Sequence, residues 1–342
     1  MAQAHVEAHA DYGFFGPNSV TWKVFTHPAA VSIGFQRTVL VEVLEPRVMA
    51  AVDTTNSVLG RPMLRYDRTL QYTAMVVFAG SPAVVKAANM LMRIHRHMIG
   101  TEPVGGGTYD ALDPASQLWI HLTEWHSVLY VYEKFGPGRL SETDEVRYWE
   151  DCAVAAQCQT IDPTTIPRNR EEVRAYFARV NPTLASSAAT QEATDQILAT
   201  AGELFGRFPR ALRFLQPMAG ALITAGTVST LPRPLRRMVG RDQGPIVDAA
   251  ITPVLRVLFS VFARYPRLQL ALIEQISPLA YPTIAPVLLG LQPEDPVTVT
   301  PAEAWSRSGT PLPRDQWIAL RNVIREHHET SADESGVLPS FT

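Results

Sequence analysis

Apolar residues recur every three to four positions along most of the chain, which is the spacing of an amphipathic α-helix. Residues 31–44 follow this pattern up to Pro46, and residues 81–99 follow it between Ser81-Pro82 and Gly100. Serine before a helix, proline in its first turn and glycine just past its end are common helix boundaries. The same signals predict helices at 46–60, 67–78, 114–135, 142–159, 191–207, 209–225, 232–240, 247–263, 265–276, 280–291 and 314–328, with others starting near Ile166 and Thr300.

No segment alternates apolar and polar residues beside a second segment of similar character, so no strand is predicted, and 105–109 is expected to be a loop. No repeat of fixed period is present, which argues against a solenoid. The predicted fold class is therefore all-α, a single large multi-helix domain. The expected organisation is a flexible N-terminus over 1–12, one helical domain over 13–329 (motifs in 13–180, apolar helices in 190–329) and a disordered tail over 330–342.

Composition narrows the functional classes. The chain has 342 residues, 46% of them apolar and 18% charged, with a formal net charge of −3. It has no basic stripe interleaved with aromatic residues, so nucleic acid is not an expected partner. The most apolar stretch, 245–291, is broken by arginines and by Glu274. A spanning helix is therefore not expected, and peripheral membrane contact stays open.

The expected location is the cytoplasm. The first twelve residues lack the basic flank and apolar centre of a secretory signal. Cys152 and Cys158 are the only cysteines, and their six-residue spacing on a predicted helix makes a disulfide between them awkward. Two free thiols are typical of a reducing compartment. Oligomeric state is not readable from the sequence.

His95 is the main candidate ligand. It is two residues from His97 on a predicted helix, so the two rings point to different sides. Leu91, Met92, Met98 and Ile99 surround His95 with an apolar face, whereas His97 shares its side with Arg93 and Ile94. An inward imidazole in an apolar environment is suited to be a haem axial ligand. The alternative is a core histidine that bonds a backbone carbonyl.

Arg65, Arg68 and Thr69 lie at i, i+3 and i+4, on one face of a helix. Two guanidinium groups and a hydroxyl are suited to bind haem propionates, iron-bound dioxygen or an anionic substrate. The alternative is a solvated face paired with Asp67 or Glu45. His121 has apolar neighbours, which suggests burial and a supporting hydrogen bond near a cofactor. The sequence contains no Glu-x-x-His, His-Glu-x-x-His, Cys-x-x-Cys, Gly-x-Ser-x-Gly or Walker motif.

Taken in order, these motifs resemble the family that groups the rubber oxygenase (latex-clearing protein) catalytic domain with a fungal ER-bound oxygenase of mycophenolic acid biosynthesis. The similar part spans roughly 13–176. The residues that carry the resemblance are Gly16-Pro17-Asn18-Ser19, 22–28, Arg65-x-x-x-Thr69, Phe78-Ala79-Gly80, His95-x-x-x-x-Gly100, Tyr109-x-Ala111-x-Asp113-Pro114, Trp119-x-His121, Tyr148-Trp149 and Ile166-Pro167.

The resemblance implies a globin-like helical core that holds one haem b. It implies that His95 is the proximal iron ligand and that Arg65, Arg68 and Thr69 lie on the distal side. The family's reaction inserts dioxygen across an isoprenoid double bond. Arg68 replaces a lysine of the rubber oxygenases, and a guanidinium does not ligate iron. No glutamate lies between Pro46 and Arg65, where those enzymes have a base, although Glu42 and Glu45 lie further back and Asp53 lies between.

Two hypotheses follow. The first is a cytoplasmic haem b-dependent oxygenase that uses dioxygen on a small hydrophobic, isoprenoid- or lipid-like substrate, with helices in 209–291 lining the substrate channel. A peroxide-driven haem enzyme differs from it only in the oxidant. The second is a non-enzymatic helical protein that binds a lipid or a partner chain through its apolar C-terminal half, without haem.

Overall fold

The computed structural model describes residues 6–54, 62–203 and 210–335. Within these ranges the chain forms sixteen α-helices. They are α1 (Val20–Phe25), α2 (Phe35–Glu42), α3 (Pro46–Thr54), α4 (Pro62–Phe78), α5 (Ser81–His95), α6 (Pro114–Phe135), α7 (Glu142–Ala156), α8 (Arg170–Val180), α9 (Ala188–Glu203), α10 (Gln216–Thr230), α11 (Arg233–Met238), α12 (Pro245–Arg264), α13 (Pro266–Ile276), α14 (Tyr281–Leu288), α15 (Pro301–Ser308) and α16 (Pro313–Ser335). A π-helix, Ala30–Gly34, leads into α2. Helices account for 71% of the structure, so the all-α prediction is confirmed.

The prediction that the chain has no strands is wrong at one place. Strands β1 (Ile99–Thr101) and β2 (Thr108–Asp110) form a short antiparallel hairpin that pairs Gly100 with Tyr109. The loop between them is held by Glu102, whose carboxylate accepts hydrogen bonds from the backbone N–H groups of Val104 and Gly105. Strands of three residues are too short for apolar alternation to stand out, which explains why the sequence pattern missed them.

Several helix boundaries differ from the predicted ones. The helix predicted at 81–99 ends at His95, because the chain turns into β1. The helix predicted to start at residue 67 begins at Pro62, so Arg65 is helical. The ends predicted at residues 60 and 207 lie outside the described ranges.

The core is built around α6. Residues on nearly every side of this helix are buried, and it packs against α2, the π-helix, α7 and α12. One apolar cluster joins α6 to the N-terminal helices and α7, and a second joins it to α10, α12 and α13. Cys152 and Cys158 are both free thiols, and both are buried in the core. Residues on α2 and α4 that face α6 are therefore placed in the interior.

Described residues near the N-terminus contact the helical body, and the last helix runs past its predicted end. The carboxylate of Asp11 accepts hydrogen bonds from the backbone of Gly13 (2.7 Å) and Ser81 (2.6 Å), which places it at the start of α5. An acceptor there satisfies a donor at a helix N-terminus, and this ties 9–13 to the body of the protein. At the other end α16 continues to Ser335, beyond the predicted end at residue 328.

Candidate functional site

Four partly buried titratable side chains on four helices interact electrostatically. The charge of Arg65 (α4) acts on both Glu42 (α2) and His95 (α5), and Glu42 also interacts with Glu124 (α6). Glu124 accepts a hydrogen bond from the hydroxyl of Thr73, which lies just over two helix turns further along α4 than Arg65. We call Glu42, Arg65, His95 and Glu124 the charged cluster. It is the place where the sequence-predicted residues Arg65 and His95 meet.

Burial makes the two carboxyl groups of the charged cluster weak acids. Burial, reinforced by the nearby charge of Glu124 and opposed by Arg65, raises the pKa of Glu42 to about 8. Burial raises the pKa of Glu124 to about 7, against the hydrogen bond from Thr73. Two such groups sharing a site do not both ionise readily near neutral pH. The charged cluster therefore holds at least part of a proton close to Arg65 at neutral pH.

His95 is a neutral imidazole at neutral pH. Burial, together with the positive charge of Arg65, lowers its pKa to about 4. Its Nδ1 atom is buried and has no hydrogen-bond partner among the described residues. An unpartnered buried polar atom costs on the order of 1–3 kcal/mol, so it calls for an explanation. A neutral ring with a partner-free buried nitrogen can serve as a ligand.

The turn after α5 positions His95. The predicted orientation agrees with the structure: His97, Arg93 and Ile94 are exposed, whereas Met92 is buried and His95 partly so. Ile99 does not share the apolar face predicted for His95, because it belongs to β1 and is 59% exposed. The backbone of the turn is held by a hydrogen bond from Ala111 N to Met98 O at 3.0 Å.

Gly100 is required by the ring of Tyr109. A Cβ atom at position 100 would lie 2.7–2.8 Å from the ring and hydroxyl atoms of Tyr109, closer than side-chain atoms approach. Tyr109 is itself buried, at 3% exposure. This contact explains two of the sequence motifs, His95-x-x-x-x-Gly100 and Tyr109-x-Ala111-x-Asp113-Pro114, as parts of one hairpin. Asp113 completes it by capping α6 through Ser116 N at 2.9 Å.

We expect Gly100→Ala to destabilise the protein by about 1–3 kcal/mol, because the new methyl group overpacks against the Tyr109 ring. Chemical denaturation measures the effect. The double variant G100A/Y109A removes the ring, so its loss should be smaller than the sum of the two single losses. Strict additivity would show that the close approach of Gly100 to Tyr109 is not the cause.

Among the contacts that the structure describes, neither Arg68 nor Thr69 interacts with the charged cluster. Both side chains are exposed, and the Thr69 hydroxyl donates to Arg65 O at 3.0 Å within its own helix. The buried face of α4 is set by Tyr66 and Leu70, and Arg68 lies two residues from each, on the opposite side. Their predicted roles at the distal side of a haem remain predictions.

His121 is buried, as predicted, and its contacts lie within the core. Its Nε2 lies 2.8 Å from Cys152 O, and its Nδ1 lies 3.5 Å from Gln159 Nε2. Its ring also packs on Trp125. Burial lowers the pKa of His121 to about 4. Both ring nitrogens thus face protein groups outside the charged cluster, and its predicted role in cofactor binding stays a prediction.

A cavity of about 20 Å³ borders the charged cluster at Glu124 and Thr73. Its other lining residues are apolar, and they are Phe25, Ala30, Val31, Phe35, Leu70, Ala74, Phe78, Val128 and Ile284. Ile284 is the one described lining residue from 209–291, the region predicted to line a substrate channel. A larger cavity, of about 230 Å³, lies between α3, the hairpin loop and α9, with Met49, Val104 and Ala189 among its apolar lining and Asp53 at its wall.

Sequence reasoning did not assign Glu42 or Glu124 to the site. In the sequence Glu42 lies well upstream of Arg65. The packing of α2 against α6 brings Glu42 near that arginine. Glu124 had a usable signal, because it is a carboxylate in the most apolar part of a 22-residue helix. A buried ionisable group in an apolar helix is a candidate functional residue.

The chain matches the family model described as "ER-bound oxygenase mpaB/B'/Rubber oxygenase, catalytic domain" over residues 22–265. A solved structure of latex clearing protein in the closed state is similar at 20% identity, with a TM-score of 0.47, covering 82% of this chain and 74% of that one. No curated protein matches the chain. The family match spans well over half of the sequence and includes every residue of the charged cluster.

The class of protein is thus a family of oxygenase catalytic domains, here with an all-helical fold. The chain belongs to the family of the ER-bound oxygenase mpaB/B' and rubber oxygenase catalytic domains. This confirms the resemblance inferred from the ordered motifs.

Proposed function

We propose that this protein is a haem b-dependent oxygenase that uses dioxygen on a small hydrophobic, isoprenoid- or lipid-like substrate, with His95 as the iron ligand. Membership of an oxygenase family supports the reaction class. The observation that carries the proposal is the state of His95, a neutral imidazole whose Nδ1 is buried without a partner. We propose a cytoplasmic location with peripheral membrane attachment.

The donor set fits a haem. Among the described residues no three His, Cys, Asp or Glu side chains gather as they would around a bare metal ion. A b-type haem needs a single axial imidazole from the protein, and His95 meets that requirement. Arg65, next to His95 in the charged cluster, supplies a cation of the kind that pairs with a propionate or with developing negative charge.

Bound haem would supply the site for activating dioxygen. The chain's own residues supply the surroundings. Arg65 keeps a positive charge beside His95 and Glu42, and so stabilises negative charge that develops there. Glu42 and Glu124, with pKa values near neutrality, are able to hold and give up a proton at their carboxyl oxygens. Apart from Thr73, the cavity beside Glu124 has an apolar lining.

Glu42 changes one expectation drawn from the sequence. The absence of a glutamate between Pro46 and Arg65 argued against the chemistry of rubber oxygenases. The charges of Glu42 and Arg65 interact in the structure, so a carboxyl group lies near the arginine despite its distant position in the sequence. This supports cleavage of a carbon–carbon double bond by addition of both atoms of dioxygen, which yields two carbonyl products.

We expect Arg65→Gln to lower turnover by roughly a hundredfold while haem stays bound, because it removes a preorganised positive charge. Steady-state oxygen consumption measures the rate. The same variant should raise the pKa of His95 in the haem-free protein, since Arg65 lowers it, and NMR titration of the ring reports that change. Arg93→Gln is the matched control, because Arg93 is exposed on the same helix as His95. Equal turnover in R65Q and R93Q would remove Arg65 from the site.

The proposed reaction is tested by oxygen uptake of haem-loaded protein with squalene, an unsaturated isoprenoid, and with squalane, its saturated counterpart. The proposal predicts uptake and carbonyl products with squalene only. Product formation that requires hydrogen peroxide and proceeds without dioxygen would contradict it, and would favour a peroxide-driven enzyme. Repeating the assay with shorter isoprenoids defines the size of the substrate.

A non-enzymatic, lipid-binding protein is the second candidate function. The observation in its favour is an exposed apolar surface on α12. That function predicts colourless protein, and an effect of His95 replacement that is limited to stability.

A further inference from the structure

Helix α12 is apolar on two opposite sides. Its inner side, Ile251, Leu255 and Phe259, is buried at 6%, 0% and 2% exposure. Its outer side carries large apolar residues at the spacing of one helix face, and their exposed fractions are 82% for Ile246, 49% for Val254, 67% for Val257 and 46% for Val261. We call these four residues the outer face.

The packing of α12 fixes the outer face toward the surface. At Gly226 on α10 a Cβ atom would lie 2.5 Å from the Leu255 side chain, so the two helices are in close contact. The inner side of α12 also contacts α6 and belongs to the second apolar cluster. Rotation of α12 to hide the outer face would expose Leu255 and Phe259 instead. The outer face is therefore a stable feature of the surface.

The hydropathy of α12 is unusual for a helix on the surface of a protein. It is long and apolar enough to cross a membrane by composition, with a mean hydropathy of 1.8, yet only 17% of its most apolar window is buried. A core helix with this composition would be mostly buried. Because its inner side packs on the protein body, α12 is placed to lie along a membrane surface rather than to span it.

Arginines surround the outer face. Residues 233–267 contain seven arginines and two aspartates, in a chain whose net charge is −3. Arg256, Arg264 and Arg267 are exposed along α12 and at the start of α13. Tyr265, at the end of α12, is 54% exposed, as suits an aromatic residue at a membrane interface.

An open pocket of about 600 Å³ adjoins the first turn of α12. Its charged lining consists of four arginines, Arg233, Arg236, Arg237 and Arg241, and two aspartates, Asp242 and Asp248. Arg236 is fixed by Asp248 at 2.8 Å, and Arg241 pairs with Asp195. Arg233 and Arg237 are exposed, and their guanidinium groups make no hydrogen bond or ion pair with any residue in the described ranges. Guanidinium groups of this kind are suited to bind phosphate.

We propose that this surface docks on an anionic phospholipid bilayer. The outer face enters the boundary between headgroups and acyl chains, and the arginine pocket binds lipid phosphate beside it. An amphipathic helix with arginines at its margin binds membranes in two ways: its apolar face is buried in the bilayer, and its arginines are attracted to anionic lipid. The proposal deepens the peripheral membrane attachment proposed above, and it does not depend on haem.

Charge favours a bilayer over a second copy of this chain. Two copies related by a twofold axis would bring the arginine-rich margin of one close to that of the other. Like charges facing across an interface are destabilising. An anionic bilayer instead complements the outer face and the arginine pocket at the same time.

The test is flotation of the full-length protein with vesicles of phosphatidylcholine alone and with vesicles in which about one lipid in three is phosphatidylglycerol. We expect binding to the anionic vesicles, weakened by salt. The double variant V254E/V257E should weaken binding at least tenfold. Val146→Glu is the matched control, because Val146 is a helical valine with 46% exposure on α7, and it should bind as the wild type does. R233Q/R237Q should weaken binding roughly tenfold and reduce its salt dependence.

Failure of the wild type to bind anionic vesicles would overturn the proposal, as would unchanged binding by V254E/V257E. Equal loss in V146E would overturn it as well, because the effect would not belong to α12. Light scattering measures the oligomeric state of the wild type and of V254E/V257E. A dimer that V254E/V257E converts to monomer, together with no vesicle binding, would assign the outer face to a second copy of this chain and overturn the membrane proposal.

Discussion

We expect His95→Ala to abolish stoichiometric haem binding, which is one haem per chain in the wild type. The variant removes the neutral imidazole that the fold holds at the end of α5, and alanine provides no replacement ligand. Hemin titration followed by the pyridine haemochrome assay measures the stoichiometry. The haem-free variant should fold, because the replaced ring makes no hydrogen bond with the described residues and its Nδ1 is buried without a partner.

His97→Ala is the matched control for this prediction. His97 lies two residues away, in the turn after α5, and its side chain is exposed. The His97→Ala variant should bind haem as the wild type does. Full haem binding by H95A, or equal loss in both variants, would contradict the assignment of His95.

The second large effect is a dependence of stability on pH that originates from Glu124. Its pKa is about 7 in the folded protein against a usual value of 4.5, so folding favours its protonated form. That contribution to stability is fully present below the unfolded pKa and is lost as pH rises through the folded pKa. A displacement of this size corresponds to roughly 3 kcal/mol. Glu124→Gln keeps the shape and the acceptor for Thr73 but cannot ionise.

We therefore expect E124Q in haem-free form to match the wild type near about pH 4.5, and to exceed it by about 3 kcal/mol near about pH 8.5. The difference between the two proteins isolates Glu124 from the buried histidines, whose lowered pKa values act in the opposite direction. E124Q should also lower the pKa of Glu42, because the charge of Glu124 raises it. Glu192→Gln, at an exposed position, is the control. A pH-independent difference between E124Q and wild type would show that Glu124 does not titrate in the core.

Regular apolar spacing predicted most of the helices, because long amphipathic helices have periods that are visible in sequence. Asp113-Pro114 located the start of α6 correctly, with Asp113 as its N-cap. Ser81-Pro82 located the start of α5 to within one residue, because Gly80 rather than Ser81 is the N-cap there. The hairpin after His95 was missed because it depends on pairing between two short segments, 99–101 and 108–110, and on the close approach of Gly100 to Tyr109. Nothing local in either segment distinguishes three residues of strand from a loop.

The candidate site was also predictable only in part, because helix periodicity shows the face of each residue but not how the helices pack. The inward orientation of His95 follows from neighbours on its own helix, so the sequence contains it. The interaction of Glu42 with Arg65 depends on how α2 and α4 pack against α6, which helix periodicity does not specify. Arg68 and Thr69 share a helix face with Arg65, yet the core begins at Tyr66 and Leu70 and leaves Arg68 outside. Spacing identifies residues on one face, and packing decides which of them reach the interior.

The absorption spectrum of wild-type protein expressed with ample haem supply tests the central claim most directly. The proposed function predicts a Soret band and a haemochrome value of one haem per chain. Colourless protein that also fails to take up added hemin would contradict it, and the family relationship would then describe the fold without the cofactor.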